Sequence, residues 1–148
     1  MTSFVIDASV AIKWFVDEPG SEWAVSLLDH PLAAPDLLGP ELANVLWKKV
    51  RRRELTAEEA ELIAAAIDAS DIAFHATRGA LARTTAISCS LDHPAYDGFY
   101  LDPAERLDAP LVTADARLVD KLRGASDSRF ASLCPWRPCR ACSAAPEG

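Results

Sequence analysis

The sequence predicts an α/β fold, a three-layer sandwich in which a central parallel sheet of four to five short strands is flanked by helices. Three observations carry that expectation. Short apolar runs alternate with longer amphipathic ones along the 148 residues, as when each strand returns to a parallel sheet through a helix. Half of the residues are hydrophobic and a quarter are charged, enough for one sizeable core in a chain of single-domain length. Two of the apolar runs end abruptly in an aspartate, Asp7 and Asp115, at strand carboxyl ends, where ligands gather in such sheets.

Taken in order, Phe4-Val5-Ile6 is a short buried strand ending in Asp7. Residues 8–16 start a helix, and 21–28 form a second helical piece after Pro19-Gly20. Leu32-Ala33-Ala34-Pro35 is the next strand candidate. Pro40 opens a helix through about Arg53, since its missing N–H costs nothing in a first turn. Thr56-Ala57-Glu58-Glu59 is a capping box, with Thr56 as N-cap and Glu59 at N3, and begins an alanine-rich helix to about Ala69. Ile72, Phe74 and Ala76 alternate along a strand over 71–77. Helices are expected at 79–90 and 95–107. Pro110-Leu111-Val112-Thr113-Ala114 is a strand ending in Asp115, and 116–123 is the last helix.

After Gly124 the periodicity fades, so residues 1–124 read as one domain and 125–148 as an irregular tail. Cys134, Cys139 and Cys142 lie in that tail as C-x4-C-x2-C, a spacing found in some iron–sulfur ligand sets. Three ligands with no neighbouring His fall one short of a tetrahedral site, which favours an irregular extension. Cys89 stands alone in a helix and reads as a small buried apolar residue.

Fifteen basic residues oppose 22 acidic ones, a net charge of −7. Such a field excludes a protein that coats nucleic acid through an overall basic surface. It does not exclude an enzyme that reaches a phosphate through bound cations. No apolar run approaches the roughly 20 residues of a membrane span, and no leader is visible; a cytoplasmic chain without membrane contact is expected.

The chemistry is expected among the acids. On the helix opened by Pro40, Glu41, Asn44 and Lys48 form a stripe beside the apolar Leu42, Val45 and Leu46. Glu41 lies in the first turn, where the helix dipole favours its ionised form. Asp97 is embedded in Tyr96-Asp97-Gly98-Phe99-Tyr100-Leu101, where a carboxylate must be paired, protonated or metal-bound. Acids gathered at one sheet edge repel one another unless a hard divalent ion such as Mg²⁺ or Mn²⁺ takes their oxygens.

Val5-Ile6-Asp7-Ala8-Ser9, Pro40-Glu41-Leu42-Ala43-Asn44-Val45-Leu46, Tyr96-Asp97 and Leu111-Val112-Thr113-Ala114-Asp115-Ala116-Arg117-Leu118 resemble the four acidic motifs of PIN-domain ribonucleases. The chain looks most like the toxin of a VapBC-type toxin–antitoxin pair, over residues 3–123. The resemblance implies a PIN-like sandwich and a metal-dependent endoribonuclease with Asp7, Glu41, Asp97 and Asp115 as its acidic, metal-holding centre. Ser9 and Thr113 would assist by hydrogen bonding, and Asn44 would orient Glu41. It also implies an RNA substrate and a cognate antitoxin.

Two features depart from the family pattern. Asp102-Pro103 falls where the helix after the third acid usually runs unbroken; an interior proline costs about 3 kcal/mol and would start a kink at Phe99, within a turn of Asp97. The Cys-bearing tail is the other.

Four carboxylates suit phosphodiester hydrolysis, with bound metal lowering the pKa of water and stabilising charge on the attacking and leaving oxygens. The substrate 2′-OH is then not used, so 5′-phosphate and 3′-hydroxyl ends are expected. His30, His75 and His93 read as structural. Lys48, Lys49, Arg51, Arg52 and Arg53 form one dense basic run, which serves either the helix C-terminus or RNA. Lys48, Arg51 and, nearer Asp7, Lys13 are the substrate-binding candidates. Trp14, Phe15, Trp47 and Val50 are more apolar surface than a small core needs, so a homodimer surface or an antitoxin groove is expected. Three alternatives compete with the nuclease. A receiver-type signalling domain wants paired acids and a lysine where Ala116 stands; a dehalogenase-type phosphatase wants an acid at Ser9. A catalytically silent PIN-like interaction module is disfavoured by the intact acids.

Overall fold

The structure, a computed structural model, describes residues 3–124. Strands β1 (Phe4–Ile6), β2 (Leu32–Pro35), β3 (Ala73–His75) and β4 (Leu111–Val112) form one parallel sheet in the order β3-β2-β1-β4. In register, Val5 stands beside Ala33 on one side and Leu111 on the other.

The period of two along each strand divides the core. Val5, Ala33 and Leu111 pack with Ile87, Leu91, Tyr100, Leu101, Leu118 and Leu122. Ile6, Leu32, Ala34 and Val112 pack on the opposite face with Val10, Leu38, Leu42, Leu46, Ile63 and Ile67. Helices α1 (Ala8–Ala11), α2 (Ser21–Ser26), α3 (Leu38–Arg51) and α4 (Ala57–Asp68) supply the second set. Helices α5 (Leu81–Leu91), α6 (Ala95–Arg106) and α7 (Ala116–Gly124) supply the first. This is the expected three-layer α/β sandwich. Each fully buried Leu or Ile in it contributes roughly 1.5–3 kcal/mol.

Local signals place most elements. Thr56 accepts from the Glu59 N–H at 3.1 Å while Glu59 accepts from the Thr56 N–H at 2.8 Å, the reciprocal capping box. Helix α3 opens two residues before Pro40, with Leu37 as its N-cap, and keeps Pro40 and Glu41 in its first turn. The first two helical segments are shorter than periodicity suggests, and each passes into a 3₁₀ turn, Ile12–Trp14 and Leu27–Asp29.

Two expectations are corrected. Cys89 is exposed on α5, because that helix turns Thr84, Ile87, Ser88 and Leu91 inward, and position 89 falls on the opposite side. Pro103 does not interrupt α6, which runs from Ala95 to Arg106 with the proline inside it and buried. The next residue back, Asp102, is also buried and is clamped by the guanidinium groups of Arg83 at 2.9 Å and Arg106 at 3.0 Å. The Arg106–Asp102 pair spans the proline along α6, and Arg83 ties the same carboxylate to α5. Cys134, Cys139 and Cys142 lie outside the described residues.

Candidate active site

Asp7 follows β1 directly and caps α1, accepting from the Val10 N–H at 3.2 Å. Its Oδ1 also accepts from Ser9 Oγ at 2.5 Å, and its Oδ2 from Thr113 Oγ1 at 2.5 Å. Ser9 Oγ in turn accepts from the Ala114 N–H at 2.9 Å, and Thr113 Oγ1 accepts from the Asp115 N–H at 3.0 Å. The parallel pairing of β1 with β4 brings these loops side by side. The hydroxyls of Ser9 and Thr113 therefore tie the first and fourth acids into one network.

Asp115 caps α7, accepting from the Arg117 N–H at 2.9 Å and the Leu118 N–H at 3.4 Å. Asp97 lies in the first turn of α6, with its Oδ2 at 2.5 Å from His93 Nε2. Glu41, in the first turn of α3, accepts at Oε2 from the Tyr100 phenol Oη at 2.6 Å. Asn44 is exposed on α3, and its side chain makes no hydrogen bond among the described residues. Tyr100, and not Asn44, is the side chain hydrogen-bonded to Glu41.

Electrostatics show that the four acids share one region. Burial pushes the Asp7 carboxyl from 3.8 up to about 6, against hydrogen bonds from Ser9, Thr113 and Val10, and the Asp97 charge adds to the rise. Burial also raises Glu41; Tyr100 opposes this and Asp97 adds to it. Asp97 is raised by burial and then by Asp115, with His93 opposing. Burial and the adjacent Glu41 push the Tyr100 phenol up, so Tyr100 acts as a donor. In all three carboxyls burial is the largest cause of the raised proton affinity, and repulsion from a neighbouring acid adds a smaller part.

A hard divalent cation fits this donor set. Among the described residues, no three His, Cys, Asp or Glu side chains are gathered as ready-made ligands of one ion. Mg²⁺ seldom asks for that: it keeps several waters and takes one or two carboxylates. Asp7 already accepts three hydrogen bonds, leaving about one of its four acceptor positions for an ion.

The substrate-binding candidates are dispersed. Lys13 is paired with Glu18 at 3.1 Å. Lys48 and Arg51 are exposed on α3. His93, expected to be structural, bonds Asp97 from just ahead of α6, and Tyr100, not singled out in the sequence, lies one helical turn after Asp97 on α6.

The chain as a whole is similar to known proteins. A family model described as PIN domain matches residues 4–123. Ribonuclease VapC3 of Pyrobaculum aerophilum is 31% identical over 121 residues, covering 79% of this chain and 92% of that protein. The crystal structure of PAE2754 from Pyrobaculum aerophilum matches with a TM-score of 0.65 at 22% identity, covering 89% of each chain; that likeness is one of fold. From the four acidic motifs, the parallel sheet and these matches together, the chain belongs to the PIN-domain family as a VapC-type member.

Proposed function

We propose that this protein is a divalent-metal-dependent endoribonuclease that hydrolyses RNA phosphodiester bonds, and the toxin component of a toxin–antitoxin pair. The observation that carries the reading is Asp7, a buried strand-end carboxyl held on both oxygens by hydroxyls and raised in proton affinity beside Asp97. Identity to a ribonuclease over most of the chain supplies the substrate class.

Asp7, Glu41, Asp97 and Asp115 are the acids that would hold Mg²⁺ or Mn²⁺, one or two of them directly and the others through the ion's waters. When bound, the ion lowers the pKa of a water and offsets charge on phosphate oxygens. The chain's own residues prepare that step. Ser9 and Thr113 fix the Asp7 carboxylate in one orientation. Tyr100 fixes Glu41, and His93 fixes Asp97. Donors to the charged form keep each carboxyl nearer its ionised state than burial alone would allow.

An antitoxin that restrains such an enzyme needs an apolar seat. Trp14 and Phe15 line a cavity of about 390 Å³ with Leu28, Leu32, Ile67 and Ile72, and Phe15 and Leu28 are exposed. Trp47 stands outside that cavity, so the four apolar residues singled out in the sequence do not form one patch there. Purified protein should cut RNA with Mg²⁺ or Mn²⁺, stop with EDTA, and lose activity on Asp7→Asn. An Asp7→Asn protein as active as its parent overturns the assignment.

A further inference from the structure

The basic run of α3 is divided by the fold. Lys49 turns toward the protein, where it bonds Glu18 at 2.6 Å and Glu54 at 2.9 Å. Lys48, Arg51 and Arg52 remain exposed, and among the described residues none of them has a carboxylate partner. At about 100° per residue, Lys48 and Arg52 fall within about 20° of Glu41 on the helix rim, about 10 Å and about 16 Å farther along the axis. Cations on the same rim therefore lead away from the acidic site.

Beside them stands Trp47, which is 52% exposed, with the Arg51 guanidinium 5.0 Å from the ring centroid. A half-exposed indole capped on one side by a guanidinium presents a stacking face next to positive charge. That combination is suited to a single-stranded polyanion with planar bases, because stacking needs bases that are not paired. An acidic peptide would use the cations but gain little from the indole.

We infer that the exposed side of α3 is a track for single-stranded RNA, with a base stacked in the Trp47–Arg51 station and phosphates met by Lys48 and Arg52. This rests on the ribonuclease reading and adds the path of the substrate and the residues that meet it. The track explains how a chain of net charge −7 holds RNA at an acidic centre: the positive charge is local and arranged along one helix.

The test uses the full chain in an Asp7→Asn background, so that bound RNA is not cut, and a short fluorescein-labelled single-stranded RNA beside the same sequence as a duplex. Trp47→Ala should weaken single-strand binding about 5- to 100-fold, and Trp47→Phe should restore most of it. Lys48→Gln and Arg52→Gln should each reduce the salt slope of log K by about 0.7. Duplex RNA should bind more weakly and be insensitive to Trp47. Unchanged single-strand binding by all of these variants overturns the track, as does a change in sedimentation on Trp47→Ala, which would make the surface a protein interface. The nuclease reading is tested apart, with Asp7 intact. RNA cut equally well by parent, Trp47→Ala and Lys48→Gln/Arg52→Gln proteins overturns the track alone; cleavage unaffected by Asp7→Asn overturns the nuclease assignment alone.

Discussion

A carboxyl pushed to about 6 by burial keeps, in the folded chain, a proton that the unfolded chain releases near 3.8. Between those values the folded state binds more protons, so stability falls as pH rises through the window. The contribution of Asp7 is fully present below about pH 4 and gone above about pH 6, on the order of 3 kcal/mol at most. Urea unfolding in EDTA should show this slope in the parent and lose that part of it in Asp7→Asn, which at neutral pH should be at least as stable as the parent. A less stable Asp7→Asn would show that the hydroxyl network, not charge, dominates there. Tyr100→Phe probes the other buried bond. Without the phenol donor the Glu41 carboxyl rises further, so the acid limb of the pH–activity profile should move to higher pH, with kcat falling more than KM changes. A profile that stays in place would remove Tyr100 from the site's electrostatics.

Helices α5 and α6 meet at Gly98, and the position of Asp97 depends on how closely they do so. A Cβ at Gly98 would lie 2.6 Å from Ser88 Oγ and 3.0 Å from Thr84 Cγ2. Gly98→Ala should therefore cost about 1–3 kcal/mol by overpacking and reduce activity as α6 shifts. Ser88→Ala should be mild, because the Ser88 hydroxyl is buried without a hydrogen-bond partner, and in combination it should recover much of the loss. Equal destabilisation of single and double variants, read from thermal melts, would place the strain elsewhere. At the start of α4, Thr56→Ala removes one half of the capping box and should cost about 1 kcal/mol.

For the molecule as a whole, charge and apolar surface are segregated. The acids sit beyond the carboxyl ends of the central strands, while Phe15 and Leu28 open a cavity between the 3₁₀ turns and α4. If this cavity seats an antitoxin or a second copy, Phe15→Asp should leave RNA cleavage by the isolated protein intact and weaken assembly. Sedimentation and antitoxin inhibition of cleavage read the two separately. Loss of cleavage itself in a folded Phe15→Asp protein would count against the cavity as a docking surface distinct from the site.

The sequence alone determined the layers and singled out the candidate acids. Alternation in Val5-Ile6 and Leu111-Val112 assigns side chains to two faces, and the Thr56–Glu59 box starts a helix, because such rules act within a few residues. It also supplied Asp7, Glu41, Asp97 and Asp115 in order, through motifs that are local strings. Tertiary structure decided which polar groups meet. The Tyr100–Glu41 bond spans 59 residues and joins α6 to α3, and the Thr113–Asp7 bond spans 106 and depends on β1 lying beside β4. Lys49 looked like one cation in a run until the fold put Glu18 against it. Cys89 looked buried until the orientation of α5 was set by its neighbours. Pro103 looked like a break, but α6 runs through it and packs it into the interior. Periodicity is written in adjacent residues; partners are chosen by the packing of elements far apart in the chain.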